Sequence, residues 1–468
     1  MKSDAAALRV LTVLVGAGCA LGLVHILSIL ALHIPLDPNE GWNAYFAQAA
    51  MTTGSPYPTP SSLMIDNYPP LSFYIVGAVS CLTGDAIVAG RAVALASLIA
   101  VALGIGAAAS RMGCGRWEAA FAALFFPAVV MLTTDYAGMD DPQMLAHAIA
   151  IGGLLLVLGE KQTPRAMVGA ALLFAISIFV KHNLVALPAA VAIWLALLDR
   201  RLAGTFAGSG IVFALIGLGL FKQHFGFSLL QQVASARTYS LANVWSGLAM
   251  WFGWSFVPLA GAALLFVVAR RDRHAMFYVI YAAVAVAAGA YFLGGAGVDV
   301  NALFDADIAL ALSAGVLMNR QPGQGRGVIL ALLYVTPFVI GLRGLEAGWL
   351  ARDYWLHPAA EARAVAAQEI GLVRAAKGPV VCEMLSLCYW GGKPAEVDVF
   401  NLGQVFQTGA RSDRDFGRAV ADKRYALIAL EADEPFPFTP SVQAALARSY
   451  RIVRQDDDLT FYAPSRAP

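Results

Sequence analysis

The chain has 468 residues, 59% of them hydrophobic and 13% charged, with a net charge of +1 and a mean hydropathy of +0.66. Soluble domains carry roughly 45–50% apolar and about 25% charged residues, so these values exclude a soluble globular chain and define an integral membrane protein. A net charge near zero leaves no basic face to neutralise phosphates, which excludes nucleic acid as a partner.

Lys2 and Arg9 precede an apolar run from Val10 to Leu32, long enough at about 1.5 Å per residue to cross a bilayer. The run ends without a small-residue cleavage site and reads as a retained first helix. Basic residues recur between later apolar runs: Arg111 and Arg116, Lys161 and Arg165, Arg200 and Arg201, Arg270 with Arg271 and Arg273, and Arg320 with Arg326. The positive-inside rule places each group, and the N-terminus, in the cytoplasm. Spans are predicted at 8–32, 87–110, 117–134, 142–159, 166–181, 183–198, 205–221, 247–269, 275–293, 304–319 and 327–343, about eleven crossings in all.

Residues 166–198 as one helix would be about 50 Å long, against a hydrocarbon core of about 30 Å, with basic residues at both ends. Two short helices resolve this, with Lys181-His182-Asn183 at the outer turn. The odd number of crossings puts everything after about residue 344 outside the membrane. There charged residues return, and Pro379–Cys382 and Tyr425–Leu430 read as short buried strands between helical stretches. The expected architecture is an α-helical polytopic core over 1–343, with a first outer loop at 33–86, and a small extracytoplasmic α/β domain over 344–468. Cys382 and Cys388 fall in that domain, where a disulfide is chemically permitted. Their spacing allows a bridge without demanding one.

With this topology the polar residues gather on the outer face. The first outer loop carries Asp37-Pro38-Asn39-Glu40 and Asn67-Tyr68-Pro69-Pro70-Leu71, and the second, 135–141, ends in Asp140-Asp141. The turn at 181–183 adds Lys181 and His182, and the loop 294–303 holds Asn301 ahead of Asp305 and Asp307. Carboxylates at a membrane exit are candidates for chemistry because burial and neighbouring charges tune them. Part of the pattern also has a plain structural reading. Asp37, Pro38 and Glu40 stand at the N-cap, first helical and capping-box positions of a helix, Asp141-Pro142 repeats the logic, and Lys181 and His182 suit snorkelling at the interface. Leu71–Leu82 is amphipathic and reads as an outer helix lying at the interface rather than as a crossing.

An acidic motif after the first crossing, Tyr68-Pro69-Pro70-Leu71, Arg91 opening the second crossing and an Asp in the second outer loop follow one another in an order that resembles the GT-C membrane glycosyltransferases. The resemblance is to the branch containing protein O-mannosyltransferases and the lipid A aminoarabinose transferase, and it is clearest over about residues 8–200. It implies a polyprenyl-phosphate-linked sugar donor, transfer at the outer face of the inner (plasma) membrane to a lipid, glycan or protein acceptor, and a first-loop carboxylate as base. The family's usual Asp-Glu pair is Asn39-Glu40 here, which leaves Glu40 or Asp37 for the base, and the Lys common before Pro-Pro is Tyr68. Asp141 matches the family's second-loop acid.

Displacing a lipid phosphate at an anomeric carbon needs a base for the acceptor hydroxyl and positive charge for the departing phosphate. Glu40, Asp37 and Asp141 are therefore the expected catalytic residues. Tyr68, Lys181, His182, Asp140, Asn301 and Asp305 are expected at the substrate, with Lys181 and His182 as phosphate ligands. Asp141 could position the acceptor or hold Mg²⁺ or Mn²⁺, though nothing in the sequence requires a metal. The competing class is a transporter or flippase of a lipid-linked or small polar substrate, which would place ionisable residues near mid-membrane and show inverted repeats.

Overall fold

The protein is described by a computed structural model covering residues 2–59, 61–226, 235–272, 275–320, 329–335, 359–432, 438–456 and 458–465. Its first part is helical: α1 (Lys2–Ile29), α2 (Pro38–Thr52), α3 (Leu71–Thr83), α4 (Ala86–Arg111), α5 (Arg116–Thr133), α6 (Gln143–Val157), α7 (Pro164–Val180), α8 (Ala186–Leu198), α9 (Arg200–Phe225), α10 (Leu241–Ala269), α11 (Met276–Leu293) and α12 (Phe304–Asn319), the last entered through a 3₁₀ turn at Val300–Leu303. Among the described residues, six helices are long and apolar enough to cross a membrane, and four more apolar helices are shorter. The predicted span at 327–343 is helical over 329–335, and its remainder lies outside the described residues, as does the expected domain boundary near 344.

Burial separates the centre of the bundle from its rim. The segment containing α12 is 94% buried whereas α9 is 11% and α1 17% buried, as expected of a helix apolar all round and of helices that face lipid. The stretch 166–198 is two helices, α7 and α8, with Lys181–Val185 between them. Helix α3 is a separate element of 13 residues, about 20 Å long and too short to cross.

The second part is an α/β unit. It contains α13 (Ala360–Ala375), β1 (Val380–Cys382), α14 (Leu385–Trp390), α15 (Val399–Gln407), α16 (Arg414–Ala421), β2 (Leu427–Glu431), α17 (Pro440–Ser449), β3 (Tyr450–Gln455) and β4 (Leu459–Pro464). The sheet runs β1-β2-β4-β3, with β1 and β2 parallel and the other pairs antiparallel. Strand alternation divides its core: Val380, Cys382, Leu427 and Ala429 pack with Ala44, Ala47 and Ile87 of the membrane part. Val381, Ile428 and Leu430 pack with Leu402, Phe416 and Leu446 on the other face. Cys382 and Cys388 form a disulfide with Cα atoms 5.9 Å apart, tying β1 to α14.

The two parts meet closely at one end of the bundle. A Cβ built on Gly41 of α2 would lie 2.0 Å from the Ser386 backbone nitrogen, so only glycine admits this contact. Trp42 Nε1 donates to Asp398 Oδ2 at 2.9 Å, Tyr45 Oη to the Lys393 carbonyl at 2.6 Å and Asn67 Nδ2 to Asn401 Oδ1 at 3.3 Å. The α/β unit thereby sits over the end where the loops carrying Asp37, Asp141, Lys181, Arg237 and Asn301 converge.

Candidate active site

Asp37 is the N-cap of α2, its Oδ1 accepting the Asn39 backbone N–H at 2.7 Å, with Pro38 at the first helical position. The N-cap bond therefore forms to the N2 N–H rather than to the N3 N–H of a capping box. Glu40 leaves the box to meet Arg91 of α4. Arg91 Nε donates to Glu40 Oε1 at 2.7 Å and Nη2 to Oε2 at 2.6 Å, a bidentate pair in which both side chains are 0% exposed. The remaining Glu40 acceptor sites take the Leu36 N–H at 3.1 Å and the Asp140 N–H at 3.2 Å. Arg91 also donates to the carbonyls of Leu32 at 2.9 Å and Ile34 at 2.6 Å. This pair clamps the entry to α2 against α4 and leaves Glu40 no free lone pair.

Lys181 closes α7 and is buried. Its Nζ lies 2.8 Å from Tyr68 Oη, 3.0 Å from Asp141 Oδ2 and 4.0 Å from the Tyr68 ring centre. Burial opposes the ammonium charge, but Asp141 and Tyr68 outweigh it and hold the lysine pKa above its ordinary value. Asp141 Oδ1 also accepts the Gln143 backbone N–H at 2.7 Å, supporting the start of α6. Gln143 Nε2 reaches the Asn301 carbonyl at 3.3 Å and His147 Nε2 at 3.0 Å. The ends of α6 and α7 and the 3₁₀ turn before α12 are thus locked to one another.

These contacts frame a cavity of about 320 Å³ whose walls include Tyr68, Lys181, His182 and Asn301, together with Asn67 and Arg237. Burial, Lys181 and Arg237 push the His182 imidazole down to about 4, so it is neutral at pH 7 and offers an N–H rather than a charge. Arg237 donates to the Ala296 carbonyl and to Asn401 Oδ1, both at 3.2 Å, which hold its guanidinium at the cavity. An apolar groove lies alongside. Pro70 of the Tyr68 segment and Phe179 of the Lys181 segment line it together with Ile176 of α7 and Ile216 and Leu220 of α9.

Asp37 stands at the same end without lining the cavity. It is half-buried, and desolvation pushes its pKa up to about 6, with Asp141 and Glu40 adding to the rise. Its Oδ1 is used in the cap, and both the backbone N–H and the side chain of Asn39 offset part of that rise.

The other expected residues fall elsewhere. Asp140 is buried, and its carboxylate lies against α4 where a Cβ on Gly90 would be 1.8 Å from Oδ1. Burial first, then Glu40 and Asp141, raise its pKa well above the usual range. Asp305 is buried in the first turn of α12, accepts from Tyr281 Oη at 2.5 Å and does not line the cavity. The oxygens of Asp141 are taken by Lys181 and Gln143, a donor set that does not suit a divalent cation. Among the described residues no three His, Cys, Asp or Glu side chains group as metal ligands. Arg237 was not singled out in the sequence. It lies in a polar loop, and contacts to Ala296 and Asn401, 59 and 164 residues away, and to the Phe400 ring bring it to the cavity.

A helical membrane core capped by a small α/β unit is the class these features define. In particular, the chain is similar to ArnT from Cupriavidus metallidurans in a crystal structure bound to undecaprenyl phosphate. The identity is 16%, the TM-score 0.61, and 97% of this chain and 98% of that chain are covered. The same protein in the apo state gives 14% identity and a TM-score of 0.60, over 96% of this chain and 97% of that one. Residues 65–260 match the model of a family described as "6-pyruvoyl-tetrahydropterin synthase related domain; membrane protein". No curated protein matches the sequence.

Proposed function

We propose that this protein is an integral membrane glycosyltransferase that moves a sugar from a polyprenyl-phosphate-linked donor to an acceptor hydroxyl, inverting the anomeric carbon. The observation that carries the reading is the joining of Lys181, His182 and Arg237 around one cavity that adjoins an apolar groove. A phosphate with a long hydrocarbon chain needs both a cationic seat and an apolar trough. Lys181 Nζ donates to Tyr68 Oη and to both oxygens of Asp141, which fix its ammonium at the cavity wall as a positive charge for the phosphate. Arg237 supplies a forked donor and His182 a neutral one. The fold shared with a protein crystallised with undecaprenyl phosphate supports the same donor chemistry.

Asp37 is the base in this reading. A carboxylate with a pKa of about 6 is ionised at neutral pH yet more basic than an exposed one. Its Oδ2 takes the proton of the acceptor hydroxyl as that oxygen bonds to the anomeric carbon. The bond from that carbon to the phosphate oxygen breaks, and the electron pair leaves on a phosphate stabilised by Arg237, Lys181 and His182. Glu40, with every lone pair engaged, anchors the loop rather than taking the proton. Asp141 holds Lys181, and no step is routed through a metal. The α/β unit, in this topology, faces away from the cytoplasm.

Binding of undecaprenyl phosphate to the purified protein in detergent, followed by native mass spectrometry, tests the donor seat. Arg237→Ala is expected to weaken binding by about tenfold to a hundredfold, the worth of a charge-assisted hydrogen bond. Unchanged affinity would remove the cavity from the account.

A further inference from the structure

Away from the phosphate cavity, α2 and the α/β unit enclose a second cleft of about 980 Å³. One wall is a stripe of α2, with Tyr45, Gln48, Ala49 and Thr52 at helical spacing. The facing wall is the end of α14 and the turn after it, with Tyr389, Trp390 and Lys393. The third side comes from residues 53–59 and 61–64, which contribute Ser55, Thr59 and Ser62.

The walls are built in advance. Tyr57 is buried and donates its hydroxyl to the Tyr68 carbonyl at 2.9 Å. Leu63 pairs with Val397 across the two parts, and Arg411 Nη1 donates to the Ser62 carbonyl at 2.6 Å. The walls carry a carboxylate and an ammonium of opposite sign, both engaged: Asp85 caps α4 through Ile87 and Val88, accepts Trp390 Nε1 at 2.9 Å and lies 3.3 Å from His33 Nε2, and Lys393 Nζ donates to the Ala376 carbonyl. The remaining surface offers the half-buried Tyr45 and Tyr389 rings, hydroxyls and the Gln48 amide, the Trp390 ring being stacked on His33. That mixture suits a neutral saccharide, whose C–H faces lie on rings and whose hydroxyls need partners able both to donate and to accept. It offers a peptide neither a free strand edge nor an apolar helix groove.

We infer that this cleft binds a neutral oligosaccharide, the glycan part of the acceptor. The acceptor role rests on the transferase reading; the binding itself does not. Gln48 lies eleven residues along α2 from Asp37, about 16 Å at the helical rise. The bound sugars are therefore not the residue that is modified. They hold the acceptor while a residue further along its chain reaches Asp37.

The test uses the full-length protein in lipid nanodiscs on an array of soluble oligosaccharides, with affinity for the best binder then measured by calorimetry. Gln48 and Thr52 are exposed, so Gln48→Trp and Thr52→Trp fill the cleft without disturbing the core, and retained undecaprenyl phosphate binding checks that both variants are folded. Wild-type protein is expected to bind a neutral oligosaccharide, each Trp variant to bind it at least tenfold more weakly, and Asp37→Asn to bind it as wild type does. No glycan binding by the wild type, or equal binding by the filled variants, overturns the inference. Binding with sugar transfer absent in wild type would instead overturn the transferase reading and leave the cleft standing.

Discussion

Arg91 and Glu40, 51 residues apart, form a bidentate pair sealed from solvent, at 2.7 and 2.6 Å. Neither makes sense alone: a lone guanidinium or carboxylate at that depth would cost several kcal/mol. The pair fixes the chain between α1 and α2, and with it the position of Asp37 three residues earlier. Glu40→Gln leaves Arg91 uncompensated and is expected to lower stability by about 3–5 kcal/mol, read as a fall in the thermal midpoint of the solubilised protein. An unchanged midpoint would mean the pair is not the clamp described.

Gly90 is the seat of the Asp140 carboxylate. Gly90→Ala puts a methyl 1.8 Å from Oδ1 and is expected to destabilise the protein by about 1–3 kcal/mol. Combining it with Asp140→Ala should recover part of that loss, because the collision partner is gone. A denaturation series on the single and double variants reads the coupling, and strict additivity would contradict the contact.

Lys181 and Asp141 are expected to behave as a unit. Lys181→Met should leave Asp141 buried and unpaired, costing about 3–5 kcal/mol, and adding Asp141→Asn should restore part of the stability without restoring donor binding. Recovery of both would separate Lys181 from the phosphate.

The pH profile follows from Asp37. Its pKa is raised to about 6 by burial, and the base must be unprotonated, so kcat/KM should fall as pH drops through about 6 and level off above it. Glu40→Asp, where it folds, should keep this acidic limb. Asp37→Glu should shift it, because the longer side chain leaves the site that raises the pKa.

Much of this arrangement is legible in the sequence where the signal is local. The split of 166–198 follows from length and charge alone, and the structure turns at Lys181–Val185. Of the residues expected at the substrate, Tyr68, Lys181, His182 and Asn301 line one cavity, and Asp140 and Asp305 do not. Strands β1 and β2 were expected from their apolar runs. Strands β3 and β4 were not, since β3 exposes most of its residues and a bulge between Ile452 and Arg454 interrupts its pairing, so no period-two pattern marks it. The sequence puts Glu40 first as base with Asp37 in reserve, and the Arg91 guanidinium that fills the Glu40 lone pairs is what turns the proposal to Asp37. Such partners, like Asn401 for Arg237, lie far along the chain and leave no local pattern.

Sugar transfer from an undecaprenyl-phosphate-linked donor, measured with purified wild-type protein and with Asp37→Asn, tests the central claim most directly. The expected result is transfer with inversion by the wild type and a loss of at least a hundredfold in kcat for Asp37→Asn, with donor binding unchanged. Undiminished transfer by Asp37→Asn, or a product of retained configuration, would contradict it.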